Sequence, residues 1–154
     1  MLVPIANGDI PGIMRIERLP GYDAFIGRWS AEEHAAELAV PTSRYYGWRA
    51  SDGRLAGFTI FQKFDQPVIQ LRRIAIDTPG GGAGTRLLRA ALDRVLETTP
   101  ATAIDLQVRT DNARARRVYL REGFVPEGEG APEHDRMVLT RGAWAALPRR
   151  ETRP

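Results

Sequence analysis

The segment PGGGAGTRLL, residues 79–88, constrains the fold of this chain more than any other stretch. It places four glycines within five positions, directly before a pattern with helical spacing formed by Leu87, Leu88, Ala91, Leu92 and Val95. Each glycine costs about 0.5–1 kcal/mol relative to alanine in ordered structure. Four together therefore indicate that something needs a bare backbone there, and glycines before a helix start are typical of phosphate-binding loops.

Two common phosphate loops are excluded by residues at fixed offsets. A Walker loop has a lysine directly after its last glycine, where this chain has Thr85-Arg86. A dinucleotide fingerprint, G-x-G-x-x-G, counted from Gly80 or from Gly82 would need its third glycine at Thr85 or at Leu87. A flexible turn that binds nothing is the remaining simple interpretation.

Composition excludes several function classes. The 154 residues include no cysteine and two histidines, so disulfides, thiolate metal sites and a cysteine nucleophile are excluded, and we expect no metal. A net charge of +3 is too small to indicate a nucleic-acid partner. No apolar run approaches a membrane span, and the N-terminus lacks the pattern of a signal peptide. We therefore expect no membrane partner and a cytoplasmic location.

The remaining segments predict a fold of mixed type. Ser30 followed by Glu33 is a capping box that starts a helix, and SDGR at residues 51–54 predicts a β-hairpin turn. In the next strand, VIQLRRIAI at residues 68–76, the apolar parity changes after Leu71. A β-bulge near Arg72-Arg73 would restore one apolar face, whereas a strand buried on both faces would need none.

The element order is β-α-α-β-β-β-α-β-α-β-β. It predicts an α/β fold of the α+β type, in which a mixed, mostly antiparallel sheet carries helices on both faces. We expect one domain over residues 1–142 and a C-terminal tail over residues 143–154.

A second motif follows the glycine loop after one strand, AIDLQV. It reads N-x-x-A-x-x-x-Y-x-x-x-G-F, at Asn112, Ala115, Tyr119, Gly123 and Phe124. Together with G-x-G at residues 82–84 and the leucine pair at residues 87–88, it makes residues 2–140 resemble the GNAT superfamily of acyl-CoA-dependent N-acyltransferases. The chain departs from that pattern at Pro79, where the family usually has Gln or Arg, and its loop is roughly two residues shorter.

The resemblance implies acetyl-CoA as cosubstrate and assigns residues to it. The pyrophosphate would lie on the loop, the pantetheine arm in a gap beside the preceding strand, and Tyr119 would donate a proton to the departing thiolate. The implied cofactor-binding residues are Ile74, Ala75, Ile76, Gly80, Gly81, Gly82, Ala83, Gly84, Thr85, Arg86, Asn112 and Tyr119.

Each of these assignments has an ordinary structural alternative. Tyr119 can be a core aromatic, Asn112 a plain helix cap, and Arg86 part of a solvated helix face. A stripe of arginines at residues 114, 117 and 121 can meet the 3′-phosphate of CoA or face solvent.

The other half of the reaction is less visible in the sequence. The strand at residues 68–76 has no acid, so no general base is assigned. Candidates from other segments are Glu17, Glu33, His34 and Glu122, although surface or capping roles are more typical of them. A water relay is a further alternative. The acceptor is expected to be a primary amine of a small molecule or peptide. Aromatics that can line its pocket or fill the core are Tyr22, Phe25, Trp29, Tyr45, Tyr46 and Trp48.

The resemblance leaves two functions open. The first is an N-acetyltransferase acting by direct attack of the amine, in a chain that can form a homodimer. The alternative is a non-catalytic CoA-binding module that serves as a sensor or an assembly subunit.

Overall fold

The computed structural model describes residues 1–20 and 28–148, and this part of the chain forms one seven-stranded sheet. The strands lie in the order β1-β2-β3-β4-β5-β7-β6, and all neighbours are antiparallel except β4 and β5. The strands are β1 (Leu2–Pro4), β2 (Arg44–Arg49), β3 (Leu55–Gln62), β4 (Val68–Ile76), β5 (Ala103–Arg109), β6 (Val125–Pro126) and β7 (His134–Thr140).

Helices cover both faces of this sheet. They are α1 (Ile10–Glu17), α2 (Ala31–Leu38), α3 (Ala83–Thr98), α4 (Ala113–Arg121) and α5 (Arg141–Ala146), with a 3-10 turn at Asn7–Asp9. One core cluster joins α3 to the sheet through Leu88, Leu92 and Leu106, and the other joins α1 to the opposite face through Ile13, Ile16 and Ile60. Among the described residues, no helix has the length and apolar character that a membrane crossing requires.

The predicted local signals are confirmed. Ser30 Oγ accepts from the Glu33 N–H at 3.1 Å, and the Glu33 carboxylate accepts from the Ser30 N–H at 3.0 Å, so the capping box starts α2. Residues 51–54 connect β2 to β3 as an antiparallel hairpin.

The predicted domain boundary after residue 142 falls inside α5, where the Trp144 indole N–H donates to Asp93 at 2.8 Å.

The predicted bulge in β4 is also confirmed. Ile60 of β3 pairs with Arg73, whereas the next residue, Phe61, pairs with Leu71, so Arg72 is the extra residue of β4. Ile69, Leu71 and Ile74 consequently all pack on the α3 face, although their sequence parity changes. Arg73 and Ala75 are buried, and Ala75 packs with the α1 cluster on the opposite face. The bulge therefore gives β4 one continuous apolar face.

The most consequential feature of the sheet is the short pairing of β4 with β5. Their parallel register runs from Val68 with Ala103 to Leu71 with Leu106 and stops there, at the bulge. β5 goes on to pair with β7 as far as Arg109. The carboxyl-terminal half of β4 therefore separates from β5, and a gap opens at the centre of the sheet.

Candidate active site

The gap between β4 and β5 opens into a cleft of about 1330 Å³ that collects most of the predicted site residues. Its lining includes Ile74, Ala75, Ile76, Gly80, Gly81, Gly82, Gly84, Thr85, Asn112 and Tyr119. The remaining two predicted residues, Ala83 and Arg86, adjoin this lining at the start of α3. The fold thus brings two motifs that are separated by a whole strand to one site.

The glycine loop has a backbone that other residues adopt only with strain. Gly80, Gly81 and Gly82 have φ of 92°, 65° and 78°, all in the left-handed region. Gly82 is the N-cap of α3. The N–H groups of the first helical turn have no carbonyl partner within a helix and carry its positive dipole end. The loop therefore offers backbone donors to an anion.

Arg86 adds charge to this loop without pointing away from it. Its guanidinium Nη1 donates to the Gly81 carbonyl at 3.0 Å. Arg86 is solvent-exposed, as a solvated helix face would have it, and this contact also ties it to the loop. The start of α3 also lies close to the sheet. A Cβ added to Gly84 would be in van der Waals contact with Ile76, 3.5 Å from its Cδ1 atom.

Asn112 is confirmed as the cap of α4 and also lies at the cleft. Its side-chain oxygen accepts from the Ala115 N–H at 3.2 Å and so caps α4. The same residue lines the cleft. A cap engages the amide oxygen, so the amide nitrogen is left for another acceptor.

Tyr119 lies two turns along α4 on the same side. Its ring packs edge-on against Phe124, with 5.7 Å between the centroids, while the residue also lines the cleft. Its hydroxyl makes no hydrogen bond to any residue in the described part of the chain. Burial raises the pKa of Tyr119 to about 12, so the phenol keeps its proton at every physiological pH.

The arginine stripe on α4 lies along the cleft. Arg114, Arg117 and Arg121 all line it, and none forms an ion pair within residues 1–20 and 28–148. All three are also solvent-exposed. Their positive charges are therefore uncompensated beside the glycine loop, which suits a ligand with several phosphates.

The expectation of surface or capping roles for the candidate bases is confirmed only for Glu33. Glu17 and His34 are fully buried instead, with His34 Nε2 and Glu17 Oε1 2.6 Å apart. Glu122 is buried as well and forms two hydrogen bonds of 2.8 Å with Arg89. The sequence could not show this, because each partner comes from a distant segment.

Glu17 lies at the centre of a buried polar cluster between α1, α2, β2 and β4. Its second carboxylate oxygen accepts from Arg73 Nη1, and His34 Nδ1 is 2.9 Å from the Tyr45 hydroxyl. The Arg73 guanidinium stacks on the Trp29 ring, 3.9 Å from its centroid. Burial among these groups raises the pKa of Tyr45. Each charge in this cluster thus has a partner.

The aromatic candidates for the acceptor pocket divide accordingly. Tyr45 belongs to this buried cluster, and Tyr46 packs against the α3 core. Trp29 is half-buried beside Arg72 and Arg73. Tyr22 and Phe25 lie outside the described residues.

Sequence reasoning missed the arginine pair of β4 as part of the site. Arg72 and Arg73 both line the cleft. The available signal was the change of apolar parity at these two residues, which marked the bulge but did not show which way either side chain points.

Comparisons with known proteins agree with this geometry. The model of the acetyltransferase (GNAT) family matches residues 12–124. No curated protein matches the chain.

Solved structures match the fold at low identity. A mutant of spermidine N-acetyltransferase SpeG from Vibrio cholerae has a TM-score of 0.78 and 19% identity, over 95% of this chain and 98% of that one. The same enzyme in complex with CoA and spermine has a TM-score of 0.79 and 19% identity, over 94% and 97% of the two chains.

Proposed function

Because the chain belongs to the acetyltransferase (GNAT) family, we propose that its cleft binds acetyl-CoA and that the acetyl group passes directly to a primary amine. The observation that carries the proposal is the gap between β4 and β5, with the glycine loop at one end and Tyr119 beside it. Bound acetyl-CoA supplies an activated acetyl group and a thiol leaving group. The chain's own residues would bind and orient the two substrates and protonate the leaving thiolate.

The glycine loop and the arginine stripe would hold the phosphates. Successive N–H groups at the start of α3 suit a pyrophosphate, and Arg86 adds charge at the loop. Arg114, Arg117 and Arg121 supply further positive charge on the neighbouring helix. The shortened loop with Pro79 thus relies on backbone donors and on α4 arginines for its anion contacts.

Residues 74–76 would hold the pantetheine arm. Beyond Leu71, β4 keeps β3 as its neighbour but no longer pairs with β5. An amide-containing arm placed in the gap can substitute for the missing strand, with Asn112 on the far side as a second polar contact.

Tyr119 would hold the proton that the leaving thiolate needs. Its hydroxyl is protonated and is not engaged by the described residues, so it can donate into the cleft. With a pKa of about 12 it is a weaker acid than an ordinary phenol. Donation is favourable only to a thiolate that is itself desolvated in the same cleft.

The amine would lose its own proton to water before it reacts. The carboxylates of Glu17, Asp77 and Glu122 are each held by at least one arginine. None of them is free to act as a base at the gap. An alkylamine has a pKa near 10, so turnover should rise with pH towards that value.

The test is acetylation of an amine panel, followed as thiol release, with Tyr119→Phe as the variant. We expect kcat to fall about 100-fold or more, while acetyl-CoA affinity measured by calorimetry stays within a factor of about three. For the parent protein, the rate should rise from pH 7 to 10 without the basic limb that a phenol with ordinary pKa would produce.

Three outcomes would count against the proposal. Unchanged kcat in Tyr119→Phe would remove the acid role. If the parent protein loses activity between pH 8 and 10 and the Tyr119→Phe variant does not, the raised pKa of Tyr119 would be contradicted. Tight binding of acetyl-CoA without turnover on the whole panel would favour a CoA-binding module instead.

A further inference from the structure

The cleft is strongly positive, and its charges are not all explained by CoA. Six arginines line it, against a single carboxylate, Asp77, among the described residues. Asp77 is engaged by Arg54 at 2.9 Å and by Arg15 at 3.4 Å. Burial would raise the pKa of Asp77, but hydrogen bonds from Arg54 and Thr78 outweigh burial and lower that pKa. Asp77 therefore stays ionised, and its charge is already compensated by Arg54 and Arg15.

Arg109 and Arg73 have their own partners. Arg109 forms ion pairs with Asp111 at 3.1 Å and with Glu133 at 3.8 Å. Arg73 is bonded to Glu17 and lies 94% buried under Trp29. Burial lowers the pKa of Arg73, and the charge of its neighbour Arg72 lowers it further, whereas Glu17 acts in the opposite direction.

Arg72 is the uncompensated charge at this end of the cleft. It is exposed, it is the extra residue of the bulge, and it has no carboxylate partner in the described part of the chain. Its guanidinium lies 5.8 Å from the centroid of the Trp29 ring, so it extends over the α1–α2 face of the sheet. The face of the Trp29 ring attracts this cation electrostatically.

CoA phosphates cannot be the partner of Arg72. The four residue steps from Arg72 to Ile76 span roughly 13 Å of extended strand, and the glycine loop lies beyond Ile76. The glycine loop, Asn112 and Tyr119 all belong to the cofactor side of the gap. The part of the cleft that Arg72, Leu19 and Pro20 line is therefore left for the second substrate.

We propose that Arg72, supported by the Trp29 ring, binds a carboxylate of the acceptor, so that the substrate class is an amine that also carries a carboxylate. This inference rests on the proposed function. One uncompensated positive charge matches one negative charge, and the planar guanidinium fork fits a carboxylate. A carboxylate would also relieve the repulsion between Arg72 and Arg73. Spermine, the ligand named for the Vibrio cholerae enzyme, has only positive charges.

The experiment compares amino acids with the corresponding amino acid amides as acceptors, in the parent protein and in Arg72→Gln. Arg72 is exposed, so the variant should fold. We expect the parent to prefer the carboxylate, and Arg72→Gln to raise KM for the carboxylate about 10- to 100-fold while KM for the amide is unchanged. Arg72→Lys should recover part of the preference.

Arg94→Gln is the matched control. Its guanidinium also lies over an aromatic ring, 5.7 Å from the centroid of Tyr46, but Arg94 does not line the cleft. This variant should leave both acceptors and the acetyl-CoA affinity unaffected. A similar loss in Arg94→Gln and Arg72→Gln would overturn the subsite.

Binding measured in the presence of CoA separates the two proposals. Turnover of amides and diamines as efficient as that of carboxylates would overturn the subsite and leave the N-acetyltransferase function in place. Binding of an amino acid that is lost in Arg72→Gln, without turnover by any amine, would support the subsite and reject the function. If the amino acid binds equally well to the parent protein and to Arg72→Gln, or binds to neither, the subsite is overturned.

Discussion

The two faces of β4 are built by different means. On the α3 face, the site consists of a glycine loop, the start of α3, the α4 cap Asn112 and Tyr119 of α4, all within short motifs. On the α1 face, the buried polar cluster depends on Glu17 and Arg73, which are 56 residues apart, and on His34, which is 17 residues from Glu17. The first face is determined by local backbone conformation, and the second by charges that only the complete fold brings together.

The sharpest test of this difference is Glu17→Ala. It would leave Arg73 buried without its carboxylate, and removal of one partner of a buried ion pair costs about 3–5 kcal/mol. We expect a loss of that order in the free energy of unfolding, measured by urea denaturation. Acetyl-CoA affinity of the folded fraction should be preserved, because the cofactor face has its own determinants.

Glu32→Ala is the matched control for that prediction. Glu32 is an exposed glutamate in the first turn of α2, so its removal should change stability by about 0.5 kcal/mol or less. If Glu17→Ala proves too unstable to purify, Glu17→Leu combined with Arg73→Met removes both charges, and this double variant should be more stable than Glu17→Leu alone. Equal stability of the single and double variants would contradict a coupled pair.

On the cofactor face, the corresponding test is Gly81→Ala. A Cβ at Gly81 would contact nothing within 4 Å, but φ is 65°, so the cost comes from the backbone alone. A non-glycine residue in the left-handed region costs about 1–2 kcal/mol. If the loop relaxes to avoid that strain, acetyl-CoA affinity should fall about 5- to 30-fold, measured by calorimetry.

Gly142→Ala separates loop strain from a general effect of glycine replacement. Gly142 lies in α5, also with open space around its Cβ position, and its φ is not positive. Alanine there should stabilise the protein by up to about 1 kcal/mol and leave acetyl-CoA affinity unchanged. If both variants behave alike, the geometry of residues 80–82 is irrelevant to the cofactor.

The same division explains how much the sequence could predict. The capping box at Ser30, the hairpin turn, the bulge and the glycine loop were predictable because each depends on residues within about ten positions. The burial of Glu17 and His34 was not, since a glutamate is rarely buried unless it is paired, and the sequence does not show these partners. The burial of each requires partners from a different element.

Arg72 shows the limit most clearly. The change of apolar parity at Arg72 marked the bulge. In a regular strand, side chains alternate between the two faces of the sheet, but the extra residue of a bulge does not follow that alternation, so the face of its side chain could not be predicted. Only the position of Trp29, 43 residues earlier in the sequence, shows that Arg72 extends over the α1–α2 face. The proposed specificity on this side of the gap therefore had to be inferred from the structure, whereas the proposed cofactor side was inferred from motifs.

Asn112 tests where the two kinds of determinant meet, and its expected effects are the smallest. Serine caps a helix about as well as asparagine, so Asn112→Ser should change stability by only a few tenths of a kcal/mol, whereas Asn112→Ala should cost about 0.5–2 kcal/mol. If the amide also contacts the cofactor arm, both variants should weaken acetyl-CoA binding about 2- to 10-fold, the value of one hydrogen bond. Normal affinity in Asn112→Ser would reduce Asn112 to a cap, and the cofactor face would then depend on the glycine loop and the α4 arginines alone.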